Sequence, residues 1–170
     1  MKYLISNEQD MRNLVIELLS KFRGRTHKNA TVLALNGELG AGKTTFTKTL
    51  AKELGIVEHI TSPTFVIQKS YQCPEHRKYS GKFVEKKQNP LIKSHMGKYE
   101  RITKLVHIDA YRLESGDDAK VLDLQNTVLN PTHLVIVEWA ENIKSALPKS
   151  AININFKYID ETTREVSIQG

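Results

Sequence analysis

The sequence predicts an α/β fold: a mostly parallel central sheet flanked by helices and ending in a C-terminal antiparallel hairpin. Three observations predict it. The apolar run Thr31–Leu35 enters Gly37-Glu38-Leu39-Gly40-Ala41-Gly42-Lys43-Thr44, which satisfies G-x-x-x-x-G-K-[ST], and a helix-patterned run, Thr44–Leu54, leaves it. Two more apolar runs, Leu105–Ile108 and Leu134–Val137, each end in an acid, Asp109 and Glu138. The final stretch alternates apolar and polar residues on both sides of a polar turn.

In chain order, Leu4 and Ile5 open a short extended piece. Ser6 or Asn7 then caps a helix carrying Met11, Leu14, Val15, Leu18, Leu19 and Phe22 at helical spacing. Gly24–Asn29 reads as the helix stop and a loop. The glycine-rich segment then follows its strand and opens its helix, the context a phosphate-binding loop requires, so the fold is P-loop NTPase-like. Gly55 ends that helix. Ser62-Pro63-Thr64-Phe65 reads as a turn, and Val66–Tyr71 alternates as a strand. Leu105–Asp109 and His133–Val137 are strands, the second with four successive aliphatics, as in a sheet buried on both faces. Between them a helix-like stretch carries Val121, Leu122 and Leu124, and Pro131 closes the crossover. Ile152–Tyr158 and Arg164–Ile168 form the final hairpin around Asp160-Glu161-Thr162-Thr163.

The chain of 170 residues is expected to be one domain, 1–170, with a basic, mobile insertion at about 72–103. Its net charge of +6 is concentrated there: Lys69 to Lys104 holds ten lysines and arginines against three glutamates. The rest of the chain is close to neutral. Apolar residues are sparse in the insertion and no period persists, although Tyr71, Tyr79, Phe83 and Tyr99 lie among the cations as stacking groups for RNA. No apolar run reaches membrane-spanning length and no basic-then-apolar leader is visible, so a cytoplasmic protein without membrane contact is expected. The single cysteine, Cys73, excludes an internal disulfide. Cys73 and His76 have metal-ligand spacing, but no second pair stands nearby to complete a zinc site.

The glycine-rich loop dictates its own chemistry. Glycines at 37, 40 and 42 let successive amides from Glu38, Leu39, Gly40, Ala41, Gly42, Lys43, Thr44 and Thr45 converge on an anion at a helix N-terminus. Lys43 can reach the outer phosphates, and the Thr44 hydroxyl suits Mg2+. Acids at the C-terminal ends of parallel strands lie on the same edge, so Asp109 and Glu138 are candidate metal-handling or water-orienting groups. Thr64 offers a hydroxyl on a loop that could order around the last phosphate of ATP. Trp139 and the Leu4–Asp10 segment are candidates for the base pocket, and Arg112 is the arginine nearest Asp109 in sequence.

With these pieces in this order, the chain resembles the TsaE (YjeE) family. The match runs through Gly37–Thr45, Ser62-Pro63-Thr64-Phe65, His107-Ile108-Asp109-Ala110-Tyr111-Arg112-Leu113 and Val137-Glu138-Trp139. The resemblance implies a small ATPase that assists threonylcarbamoyl modification of the adenosine next to the anticodon in tRNAs reading ANN codons. It implies as partners the threonylcarbamoyl transferase and that enzyme's non-catalytic paralogue, with tRNA contacted directly or through them. It implies that Lys43 grips phosphate, Thr44 and Glu138 serve Mg2+, Asp109 is the acid of a His-x-Asp-x-Tyr-Arg motif, Thr64 is switch-like and Trp139 lies near the nucleotide. The 72–103 stretch departs from the family, whose members are shorter there. Two other functions fit a phosphate loop with two acids: a small-molecule kinase, and a module that binds ATP only to dock. A kinase lid rich in arginine is absent from the insertion, which carries mainly lysine.

Overall fold

The computed structural model describes residues 1–22, 28–74, 102–115, 117–118 and 124–169. Seven strands form one sheet in the order β1-β7-β6-β2-β5-β4-β3. They are β1 (Lys2–Ile5), β2 (Thr31–Asn36), β3 (Gln68–Gln72), β4 (Lys104–Asp109), β5 (His133–Glu138), β6 (Ile152–Tyr158) and β7 (Arg164–Gln169). The four central strands, β6, β2, β5 and β4, run parallel. The final hairpin is antiparallel as expected, and β1 and β3 add antiparallel edges.

The helices are α1 (Glu8–Lys21), α2 (Lys43–Glu53) and α3 (Leu124–Leu129), with a 3-10 segment at Ala140–Ala146. Of the two expected caps for α1, Asn7 is the one used. Its side chain accepts from the Asp10 amide at 3.0 Å, and the Asp10 carboxylate accepts from the Ser6 amide at 3.0 Å. This reciprocal pair satisfies two amides at once and holds Ser6 outside the helix.

Strand periodicity sorts the core onto the two faces of the sheet. Leu33, Leu35, Leu105, Leu134, Ile136 and Ile154 pack with Met11, Leu14 and Leu18 of α1 and Phe46 and Leu50 of α2. Val32, Ala34, Val106, Ile108, Val135 and Val137 pack on the opposite face with Leu113, Leu124 and Ile143. Both faces of β2, β4 and β5 are therefore covered, as continuous aliphatic runs require.

Two expected boundaries move. The strand expected from Val66 begins at Gln68, because the amides of Val66 and Ile67 both donate to Pro63 O, at 2.9 and 2.6 Å, and Ile67 takes φ 66°. A β-branched residue in that region closes a turn rather than extending a strand. At the insertion, Gln72 ends β3, and the Cys73 amide donates to Thr103 O at 2.9 Å. The stretch expected at 72–103 is thus anchored to the sheet at both ends. Residues 75–101, which include His76, Tyr79, Phe83 and Tyr99, lie outside the described residues, as do 23–27 of the loop after α1 and Val121 and Leu122 of the crossover. Cys73 is buried, and burial pushes its thiol up to about 11.

Gly37 shows how the sheet constrains the loop that follows β2. Its φ is +133°, and a Cβ there would stand 2.3 Å from the backbone oxygen of Phe156 on β6. Backbone, unlike a flexible side chain, cannot yield cheaply. We expect Gly37→Ala to lower unfolding free energy by about 2–3 kcal/mol, measured by urea denaturation. An unchanged midpoint would show that β6 does not press on the loop.

Candidate active site

At the end of β2 the chain turns through Gly37, Gly40 and Gly42, with φ of 133°, 75° and 105°. Residues Glu38, Leu39 and Gly40 form an exposed tip, Ala41 is buried, and the Ala41 amide donates to Glu38 O at 3.2 Å. Gly42 is the N-cap of α2 and brings no side chain to the helix end. The first helical bond is Phe46 N–H to Gly42 O at 2.9 Å, so the amides of Lys43, Thr44 and Thr45 have no partner inside the helix. Among the described residues these three donors have no other backbone partner, the arrangement by which a helix N-terminus can seat an anion. At Gly42 the requirement is conformational, since a Cβ would meet nothing nearer than 3.9 Å.

Lys43 folds back over this seat. Its Nζ donates to Gly37 O at 2.5 Å and Glu38 O at 2.9 Å, and lies 3.7 Å from the centre of the Trp139 ring. Burial lowers the pKa of this ammonium, and the negative charges of Glu138, Glu141 and Asp109 oppose that shift. The carbonyls and the ring hold the charge in place, where an outer phosphate could replace them.

Register brings the acids to the same edge. Leu35 on β2 pairs with Glu138 on β5, and Glu138 pairs with Asp109 on β4. Glu138 is 2% exposed and Asp109 4%. The two oxygens of Glu138 are held differently. Oε2 accepts from Thr44 Oγ1 at 2.8 Å, while Oε1 is 2.8 Å from His107 Nε2 and accepts from Thr47 Oγ1 at 3.4 Å. Asp109 Oδ2 accepts from Ser62 Oγ at 2.8 Å and Thr64 Oγ1 at 2.5 Å, and Oδ1 accepts from the Tyr111 amide at 3.0 Å.

Backbone strain flanks both acids. Trp139, immediately after Glu138, has φ 57°, and Ile67, whose carbonyl accepts from the Asp109 amide at 2.9 Å, has φ 66°. Each conformation costs on the order of 1–3 kcal/mol and persists only where its surroundings impose it. Asn142 helps to do so on the Trp139 side, donating to Ala110 O at 2.9 Å, while the Ala110 amide donates to Glu138 O at 2.9 Å.

The geometry therefore gathers Lys43, Thr44, Asp109, Glu138, Thr64 and Trp139 around the N-terminus of α2. Trp139 covers the Lys43 ammonium. Leu4 is largely exposed, and Asn7 is used as a cap. Arg112 is exposed, its guanidinium 6.0 Å from the Phe65 ring centre. Five residues join the site without having been given a role from sequence: Ser62, Thr47, His107, Glu141 and Arg164. Strand alternation back from Asp109 puts His107 on the same face, and helical spacing from Lys43 reaches Thr47, so these two carried a local signal. Glu141, whose Oε1 accepts from the Gly37 amide at 3.4 Å, and Arg164, which donates to Gly40 O at 3.4 Å, carried none.

No group of three or more His, Cys, Asp or Glu side chains among the described residues could hold a metal ion. A hydroxyl and one or two carboxylates beside an anion seat are instead the hard-oxygen set that suits Mg2+ when phosphates and water complete its shell.

A profile for the family described as "Threonylcarbamoyl adenosine biosynthesis protein TsaE" matches residues 5–80 and 91–166. The chain belongs to the TsaE family. The Treponema pallidum "tRNA threonylcarbamoyladenosine biosynthesis protein TsaE" is 32% identical over 145 residues, covering 85% of this chain and 86% of that one. The Bacillus subtilis protein of the same name is 32% identical over 149 residues, covering 88% and 75%. The crystal structure of Bacillus subtilis YdiB superposes with a TM-score of 0.62 at 27% identity, covering 99% of this chain and 83% of that one. In this TsaE-family chain the matched segments include both strand-terminal acids and the whole glycine-rich loop.

The tie between Thr64 and Asp109 carries a measurable consequence. Thr64→Val keeps the shape of the side chain and removes a donor to a buried carboxylate. Its expected cost is about 1.5–3 kcal/mol of unfolding free energy, read by denaturant titration. Wild-type stability in that variant would mean that the hydroxyl does not hold Asp109.

Proposed function

We propose that this TsaE-family chain binds and hydrolyses ATP in support of tRNA threonylcarbamoyladenosine biosynthesis. The observation that carries the nucleotide reading is the convergence on one edge of three amides without a partner inside their helix, the Lys43 ammonium and the Thr44–Glu138 pair at 2.8 Å. In this reading the amides of Lys43 to Thr45 and the loop glycines seat the phosphates. Lys43 exchanges the carbonyls of Gly37 and Glu38 for β- and γ-phosphate oxygens, and Trp139 shields that charge from water.

One ammonium faces three carboxylates here, so a bare triphosphate would meet repulsion and ATP enters with a cation. Thr44 and Glu138, with Asp109 beside them, would hold Mg2+. When bound, that ion neutralises charge on the phosphate oxygens. Asp109 reaches the Ser62-Pro63-Thr64 turn through two hydroxyls and is the acid better placed to orient the attacking water. The turn would then sense whether the last phosphate is present. Family membership supports the biological setting. The partners proposed are the threonylcarbamoyl transferase and its non-catalytic paralogue, and the modified nucleoside is the adenosine beside the anticodon in tRNAs reading ANN codons. The residues lie in the cytoplasm in this reading, in keeping with the absence, among the described residues, of any helix long and apolar enough to cross a membrane.

Lys43→Ala removes a charge-assisted contact worth about 1.5–3 kcal/mol, so ATP affinity should fall by roughly 10- to 150-fold in a calorimetric titration. Equal affinity would remove Lys43 from the site. Product analysis with the transferase pair present should yield ADP and inorganic phosphate. A phosphorylated metabolite would indicate a kinase, and unchanged ATP a docking module. Glu138→Ala should keep the fold and lose Mg2+-dependent turnover; retained turnover would take Glu138 out of the reaction.

A further inference from the structure

His107 is the buried polar side chain that the proposed chemistry leaves unused. It lies on β4 two residues before Asp109, on the sheet face that packs against α1 and α2, between Lys69 and Ile136 in the register. Its side chain is fully buried. Nε2 is 2.8 Å from Glu138 Oε1, and Nδ1 has no hydrogen-bond partner among the described residues. The imidazole therefore makes a single directional contact, and makes it to the strand-terminal acid. Core packing alone does not account for such a residue. An aliphatic side chain would fill the buried space without leaving a nitrogen there unpaired.

We infer that His107 is a positioning residue for Glu138. Its Nε2–H engages Oε1 and so turns Oε2 toward Thr44 Oγ1 at 2.8 Å, while the nearer acceptor of the Thr47 hydroxyl is Lys43 O at 3.1 Å. Without it the carboxylate is free to rotate about its last torsion and present either oxygen to either neighbour. A Thr–Glu oxygen pair set in advance requires no reorganisation when a cation and phosphate arrive, and outer hydrogen bonds of this kind are commonly worth 10- to 100-fold in metal affinity. The polar ring thus orients the buried acid as well as giving it a partner. This inference rests on Glu138 being a Mg2+ ligand in the proposed function.

The experiment measures binding of a non-hydrolysable ATP analogue to the full chain while Mg2+ is titrated, alongside thermal unfolding. Wild type, His107→Leu, His107→Asn, His107→Gln and Glu138→Ala are compared. His107→Leu takes a donor from a buried carboxylate, so it should unfold below the wild-type temperature, match the wild type's binding of the analogue in the absence of Mg2+, and need about 10-fold more Mg2+ for its half-maximal effect. His107→Asn, polar but too short to reach Oε1, should show the same rise and serves if the leucine variant does not fold. His107→Gln, whose amide nitrogen can stand where Nε2 does, should return the midpoint toward wild type. A wild-type Mg2+ midpoint in a folded His107→Leu or His107→Asn variant overturns the inference, provided that Glu138→Ala has lost its Mg2+ response. If Glu138→Ala responds to Mg2+ as wild type does, the ligand assignment itself is wrong. A stability loss in His107→Leu with an unmoved midpoint would assign His107 to packing.

Discussion

The parallel register of β2, β5 and β4 is the constraint on which the site depends. Leu35, Glu138 and Asp109 stand in one row across three strands, one residue before β2 gives way to the glycine-rich turn. A shift of one residue in either pairing would send an acid to the opposite face, away from α2. That register is enforced by burial on both sides: each of these strands contributes aliphatic side chains to two separate clusters, and slippage would misplace both. The hydrophobic core and the polar edge are thus two consequences of one alignment.

Polar order at that edge is obtained at some cost to stability. Glu138 and His107 are withdrawn from water, Lys43 is desolvated, and Trp139 and Ile67 hold left-handed backbone. Burial of charge is tolerable only where partners saturate it, and the two carboxylates are well supplied: hydroxyls of Thr44 and Thr47 and the imidazole for one, hydroxyls of Ser62 and Thr64 and a backbone amide for the other. Preorganisation of this kind fixes oxygen positions before any ligand is present. It also links the Ser62–Thr64 turn to β4, through two side-chain hydroxyls and through Ile67, whose amide donates to Pro63 O and whose carbonyl accepts from the Asp109 amide.

The glycines divide the same way. Gly37 is required because β6 runs against it, a tertiary contact, whereas Gly42 is required because the chain must enter α2 through a left-handed conformation. One loop therefore answers both to the packing of the C-terminal hairpin and to the geometry of an anion seat. Arg164 of that hairpin reaches Gly40 O, so the hairpin borders the site as well as extending the sheet.

Local sequence determined a good deal of this protein. The loop, its strand and its helix follow from glycine spacing and apolar period. Asp109 and Glu138 could be singled out because each terminates an aliphatic run, and the His133–Val137 strand was recognisable as buried on both faces because its four aliphatics are consecutive. What lay beyond the sequence was every relation between segments distant along the chain. Periodicity says which residues share a face but not which strand lies beside which. Hence the placement of β6 next to β2, the pairing of His107 with Glu138, the reach of Ser62 to Asp109 and the approach of Glu141 to Gly37 appear only once the chain is folded. The late start of β3 belongs with them: Val66 and Ile67 favour strands intrinsically, and two hydrogen bonds to Pro63 override that preference. Propensity and spacing act over a few residues, whereas hydrogen bonds between strands and contacts across the core are decided by long-range packing, and these decide which of the legible residues meet.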